Sequence, residues 1–132
     1  MNNKIIRWGL FAAGAMNIGG VLVFSRAFTN AAINEADPVV MSNFGLLMIV
    51  IWGIAYWAAA TTTATVKWLM GAFALEKLVY VVVWSNWLLE NSLAQLYSRD
   101  IFAGVFYSIY GLNDLIFMLF FASVFLLQRP GK

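Results

Sequence analysis

The chain has 132 residues, 63% of them hydrophobic and 11% charged, with a net charge of +2 and neither cysteine nor histidine. A water-soluble domain of this length would need more polar surface to cover its core. Without Cys or His the chain has no disulfides, thiol nucleophiles, imidazole bases, His-ligated haem or ordinary zinc sites, so no metal or cofactor is expected. No basic run accompanies the net charge, which argues against a nucleic-acid partner.

Taken in order, the chain begins with MNNKIIR and an apolar run from Trp8 to Phe24, longer than the core of about 7–15 residues typical of a secretory signal. It reads as a first transmembrane helix over about residues 5–28. Its small residues include Gly9, Ala13, Ala15 and Gly19, whose spacing lets a neighbouring backbone approach closely. Asn17 lies near mid-depth, where an amide side chain most simply serves an interhelical hydrogen bond. A polar loop, TNAAINEADP, follows, and Pro38 suits the start of a second helix over about 40–60. Trp52, Tyr56 and Trp57 fall toward the far end of that helix, where amphipathic rings favour the lipid headgroups.

Thr61 to Thr63, with Thr65, form a short connection to a third helix over about 66–89. The loop LENSLAQLYSRD then leads to a fourth over about 101–128. Segments of about 20 residues match the thickness of the hydrocarbon core at helical rise, and they lack the alternation of barrel strands. The expected fold is all-α: a single-domain, four-helix transmembrane bundle occupying residues 1–132.

Charge asymmetry orients it. Lys4, Arg7, Lys67, Arg129 and Lys132 lie at one end without an acidic residue, whereas Arg26 and Arg99 share the other end with Glu35, Asp37, Glu90 and Asp100. By the positive-inside rule both termini are cytoplasmic. In size and layout the chain is similar to several groups of small bacterial membrane proteins, in architecture alone, so the expected location is a bacterial inner membrane. A faint echo at a spacing of 60 residues pairs Trp8 with Trp68, Ala12 with Ala72, and Asn17 with Lys77, as a parallel duplication of a helical hairpin would.

Within these spans the polar residues are few and costly. Glu76 lies roughly 13 Å from the start of the third helix, and Asp114 roughly 12 Å from the same side of a core about 30 Å thick. An ionisable group at that depth costs at least a few kcal/mol unless it is paired, hydrated or neutral. Lys77 is the natural partner of Asp114, because Glu76, its neighbour in sequence, points about 100° away around the helix. Glu76 is then protonated, or bonded to Asn17 or to a tyrosine hydroxyl. Helical spacing puts Glu76, Tyr80 and Trp84 on one stripe, and Tyr107, Tyr110 and Asp114 on another.

The candidate ligand-binding residues are therefore Asn17, Glu76, Lys77, Tyr80, Trp84, Tyr107, Tyr110 and Asp114, pictured as an aromatic-walled chamber with a charged floor. Two functions compete. One is binding or transport of a small apolar or amphipathic molecule, cationic if a carboxylate supplies its counter-charge. The other is a non-catalytic accessory subunit of a larger membrane complex, or a homo-oligomer, in which the charges fix helix register. Catalysis by Glu76 or Asp114 as general acid or base on a lipid-soluble substrate has the least support.

Overall fold

A computed structural model describes residues 2–62 and 67–128. Among them are six helices and no strand: α1 (Asn3–Phe24), α2 (Ala31–Ala36), α3 (Asn43–Ala60), α4 (Lys67–Glu90), α5 (Leu93–Arg99) and α6 (Ile101–Leu127). The four long ones, α1, α3, α4 and α6, are each long and apolar enough to cross a membrane. The expected Thr63, Thr65, Val66, Arg129 and Lys132 features lie outside the described residues.

Local chemistry sets the helix starts. Asn2, Asn30, Ser42, Ser92 and Asp100 each accept a hydrogen bond from a backbone N–H in the first turn that follows, satisfying one of the donors a helix start leaves free. Ser42, rather than Pro38, therefore begins the second long helix, and Pro38 sits in the turn before it. Both loops of the sequence reading contain a short capped helix. The result is that the order long, short, long occurs twice along the chain.

The first helix ends at Phe24, short of the expected Phe28. Arg26, Ala27 and Phe28 adopt φ of 49°, 55° and 68°, a left-handed stretch that costs a non-glycine residue about 1–2 kcal/mol each. Buried polar side chains hold it. Ser25 Oγ accepts from the Phe28 N–H at 2.9 Å, and Asn30 donates to the Phe24 carbonyl at 2.9 Å.

This turn brings α2 to the end of the bundle that α5 also occupies. Trp87 Nε1 donates to the Ala36 carbonyl at 2.9 Å and the Tyr107 hydroxyl to the Ile33 carbonyl at 2.8 Å. Two ion pairs close the same end, Arg26–Asp100 at 2.7 Å and Arg99–Glu35 at 3.0 Å. At the opposite end Lys67 donates to the Phe125 and Gln128 carbonyls, placing a cation at the negative C-terminus of α6.

Helices α1 and α3 pack closely, as do α4 and α6, and α1 also touches α6. The α1/α3 contact is tightest where Gly14 faces Gly53. A Cβ on Gly14 would stand 2.8 Å from the Gly53 carbonyl oxygen, so bare backbone is what the crossing requires. Although consecutive among the long helices, α3 and α4 hardly approach each other through their backbones and meet instead through rings, with Tyr56 and Phe73 4.8 Å apart.

The core falls into two apolar clusters. One, around Ile33, Met41, Leu46, Phe106 and Tyr107, lies toward α2 and α5. The other, around Leu10, Tyr56, Phe73 and Phe121, lies toward the termini. Outward faces remain apolar, with Leu75 62% and Ile116 64% exposed. Tyr56 belongs to the core and not to an interfacial belt: it is fully buried, because α3 turns it toward α4 and α6.

The Asp100 carboxylate is raised in pKa by burial, but bonds from Arg26, Asn30 and the Ala103 N–H outweigh this and hold it below the ordinary carboxylate value. Its folded pKa is thus the lower one, so its stabilising contribution is complete above the unfolded value of about 3.9 and drains away as pH falls toward the folded one. Melting of the detergent-solubilised protein should therefore show an acid-limb loss below about pH 4 that is smaller in Asp100→Asn. An unchanged acid limb in that variant would remove this clasp as its source.

Candidate functional site

Between the two apolar clusters lies a polar layer built on Lys77. Its side chain is 1% exposed, and Nζ donates to Asp114 Oδ1 and to Asn17 Oδ1, both at 2.9 Å. Asn17 passes the connection on, its Nδ2 donating to the Ile49 carbonyl at 3.0 Å. Asn113 Nδ2 adds a 3.2 Å bond to the same Asp114 oxygen. One ammonium thereby joins all four long helices: α4 through Lys77, α6 through Asp114, α1 through Asn17 and α3 through the Ile49 carbonyl.

The arrangement satisfies a severe local requirement. A buried charge is tolerated only with a counter-charge and with its remaining hydrogen-bonding capacity used. Lys77 meets that demand with one carboxylate and one amide oxygen, while the Tyr56 ring stands 5.2 Å from Nζ. Two of the three ammonium N–H donors are bonded in this way, and the charge is held by Asp114. The two residues aligned by the 60-residue echo, Asn17 and Lys77, are bonded to each other.

Glu76 occupies a different place. It is half-buried and receives a hydrogen bond from the Tyr56 hydroxyl on Oε1, whereas Oε2 receives none from any described residue. With Lys77 turned to Asp114, Glu76 is without a cation of its own. It opens on a groove of about 580 Å³ between α3 and α4, whose walls include Phe44, Met48, Trp52, Val79 and Tyr80.

The eight predicted residues thus divide. Lys77, Asn17 and Asp114 come together as the polar layer. Glu76 and Tyr80 line the α3/α4 groove. Trp84 lies flat on Gly111, where a Cβ would fall 1.8 Å from its indole, and Nε1 donates to the Tyr107 carbonyl at 2.6 Å. Tyr107 is fully buried and spent on the Ile33 carbonyl. Tyr110 lines a smaller cleft between α1 and α6, together with Asn17, Asn113 and Asp114. The single chamber of the sequence reading is in the structure two openings on opposite sides of the polar layer, and Asn17 and Asp114 of that layer line the smaller one.

Tyr56 was not among the predicted site residues. Near a helix end, a tyrosine reads as an interfacial ring, and only the placement of α3 against α4 turns its hydroxyl toward Glu76. No protein family matches the sequence, and neither a curated protein nor a solved structure is significantly similar to the chain.

Removing one member of the ion pair leaves the other charge buried alone, at a cost of about 3–5 kcal/mol. Asp114→Leu and Lys77→Met should each destabilise the protein by about that much in detergent unfolding, and the double variant should recover most of the loss. Additive losses in the double variant would show that the pair is not coupled.

Proposed function

We propose that the protein is a multi-pass integral membrane protein that binds or carries a small cationic amphipathic molecule in the α3/α4 groove, with Glu76 as the counter-charge. The observation that carries this reading is the division of the three charges. Lys77 and Asp114 neutralise each other inside the bundle, and the remaining carboxyl faces a groove large enough for a small molecule. Pockets for such ligands typically measure about 300–1,000 Å³ and combine apolar walls with a few fixed polar groups. Trp52 and Tyr80 supply ring faces for a cation, an attraction that strengthens out of water.

Membrane insertion is supported by the four long apolar helices and their exposed apolar faces. An orientation with both termini cytoplasmic is supported by the charge pattern. Both arginines at the α2/α5 end are already paired with acids, so the excess of unopposed cations lies at the other end. The absence of native cysteine makes this directly testable. An impermeant maleimide should label Asn91→Cys on intact cells and Asn2→Cys only after permeabilisation, and the reverse pattern would invert the topology.

The ligand itself is tested with tetraphenylphosphonium as the probe. Glu76→Gln keeps an oxygen for Tyr56 but removes the charge, so it should weaken binding at least about tenfold while leaving the melting temperature near that of the parent. Equal binding in both proteins would exclude Glu76 as the anchor. A second reading, the accessory subunit, rests on the same separation of α3 from α4, which a partner's transmembrane helix would fill. Native mass spectrometry from mild detergent separates the two, since a retained polypeptide supports the partner and a retained small molecule supports the ligand.

A further inference from the structure

The cleft on the opposite side of the bundle has a different chemistry. It lies between α1 and α6, measures about 60 Å³, and has Met16, Gly20, Phe24 and Ile109 as apolar walls. That volume admits roughly two water-sized groups. At its polar end stand Asn113 and Asp114. Asp114 is the central residue of α6, about 20 Å from either end of the helix at 1.5 Å per residue. No lipid headgroup carrying a phosphate reaches that far into an apolar layer.

The hydrogen-bonding capacity left over at this point is specific. Asp114 Oδ1 takes the bonds from Lys77 and Asn113, while Oδ2 receives none from a described residue. Asn113, half-buried, spends one N–H on Asp114, and its carbonyl oxygen has no hydrogen bond among the described residues. Tyr110, 7% exposed and part of the same lining, carries a hydroxyl that is the one buried side-chain polar atom without a partner among the described residues. Polar groups left open at this depth cost several kcal/mol each unless something satisfies them.

We propose that the α1/α6 cleft is a second binding site, for a neutral lipid alcohol: one hydroxyl on an otherwise apolar body. A hydroxyl fits because it donates and accepts at once. It gives its proton to Asp114 Oδ2 or the Asn113 carbonyl and accepts from the second Asn113 N–H. A cation fits poorly, since the carboxylate is already neutralised by Lys77 and a second positive charge would have to share it. A ketone or ether can accept from the second Asn113 N–H or from the Tyr110 hydroxyl, but it leaves Asp114 Oδ2 and the Asn113 carbonyl without a donor. The apolar body extends along the α1/α6 seam past Gly20, where a Cβ would meet nothing within 4 Å. This site does not depend on the cationic ligand proposed for the α3/α4 groove.

The test is photolabelling of the purified protein with a long-chain primary alcohol bearing a diazirine and an alkyne, beside its methyl ether and the matching primary amine. The alcohol should label α1 and α6 saturably, and the ether, unable to donate, at least about tenfold less. Gly20→Leu, which fills the open wall, should reduce labelling about fivefold or more without lowering the melting temperature. Asn113→Leu, which removes the polar partner together with its bond to Asp114, should reduce labelling as much in protein that still unfolds cooperatively. Excess tetraphenylphosphonium should leave labelling unchanged, and displacement by it would merge the two sites. Equal labelling by alcohol and ether, stronger labelling by the amine, or labelling that persists in both variants would each overturn the proposal. So would an absence of saturable labelling, which would leave water as the sole occupant.

Discussion

Everything in this fold is arranged around the need to satisfy one buried ammonium. Lys77 sits where neither apolar cluster can accept it, so the chain must bring a carboxylate and an amide to it from two other helices. That need fixes the depth at which α1, α4 and α6 align, because sliding any one helix by a residue moves its partner about 1.5 Å along the axis and about 100° around it. Apolar side chains alone tolerate such shifts more readily. Buried ion pairs are poor sources of net stability but well suited to selecting one register, and here the selection extends to α3 through the Asn17 amide and the Ile49 carbonyl.

The polar layer also shapes what surrounds it. By drawing α6 toward both α4 and α1 it leaves the fourth seam of the bundle, between α3 and α4, to be bridged by rings instead of close backbone packing. The larger groove opens there, with Glu76 in its wall. Across the bundle, the seam between α1 and α6 is lined by residues as small as Gly20, which leaves the narrower cleft. Two openings of unequal size and different chemistry are thus the outer consequences of one inner contact.

Much of this was legible in the sequence. Composition and run length were enough for four long helices, and helical geometry was enough for the Lys77–Asp114 pair, since adjacent Glu76 points away. The interhelical role of Asn17 also followed from its depth, and the Tyr56 bond realises one of the partners open to Glu76. What could not be read depended on how helices sit beside one another. Tyr56 looked interfacial because burial is decided by α4 and α6. The single chamber divided because the facing stripes of α4 and α6 pack directly on each other, Trp84 against Gly111 and Lys77 against Asp114, and leave no space between them. The short helices α2 and α5 were obscured by their polar composition, and the early end of α1 rests on Ser25 and Asn30 holding three residues in a left-handed turn.

The pairing of bonds within the polar layer bears on how such a chain is put together. Asn17 finds the Ile49 carbonyl inside the first hairpin, α1 with α3, and Lys77 finds Asp114 inside the second, α4 with α6. Each hairpin therefore carries an internal partner for its most hydrophilic mid-length side chain before the other is present. Among the described residues, only the Lys77–Asn17 and Tyr56–Glu76 bonds at this depth need both. If such a polypeptide enters a membrane in two instalments, the second brings its Lys77–Asp114 pair already matched, and Glu76 waits for Tyr56 of the first. The bonds that join the instalments then act as a late check that the correct halves have met.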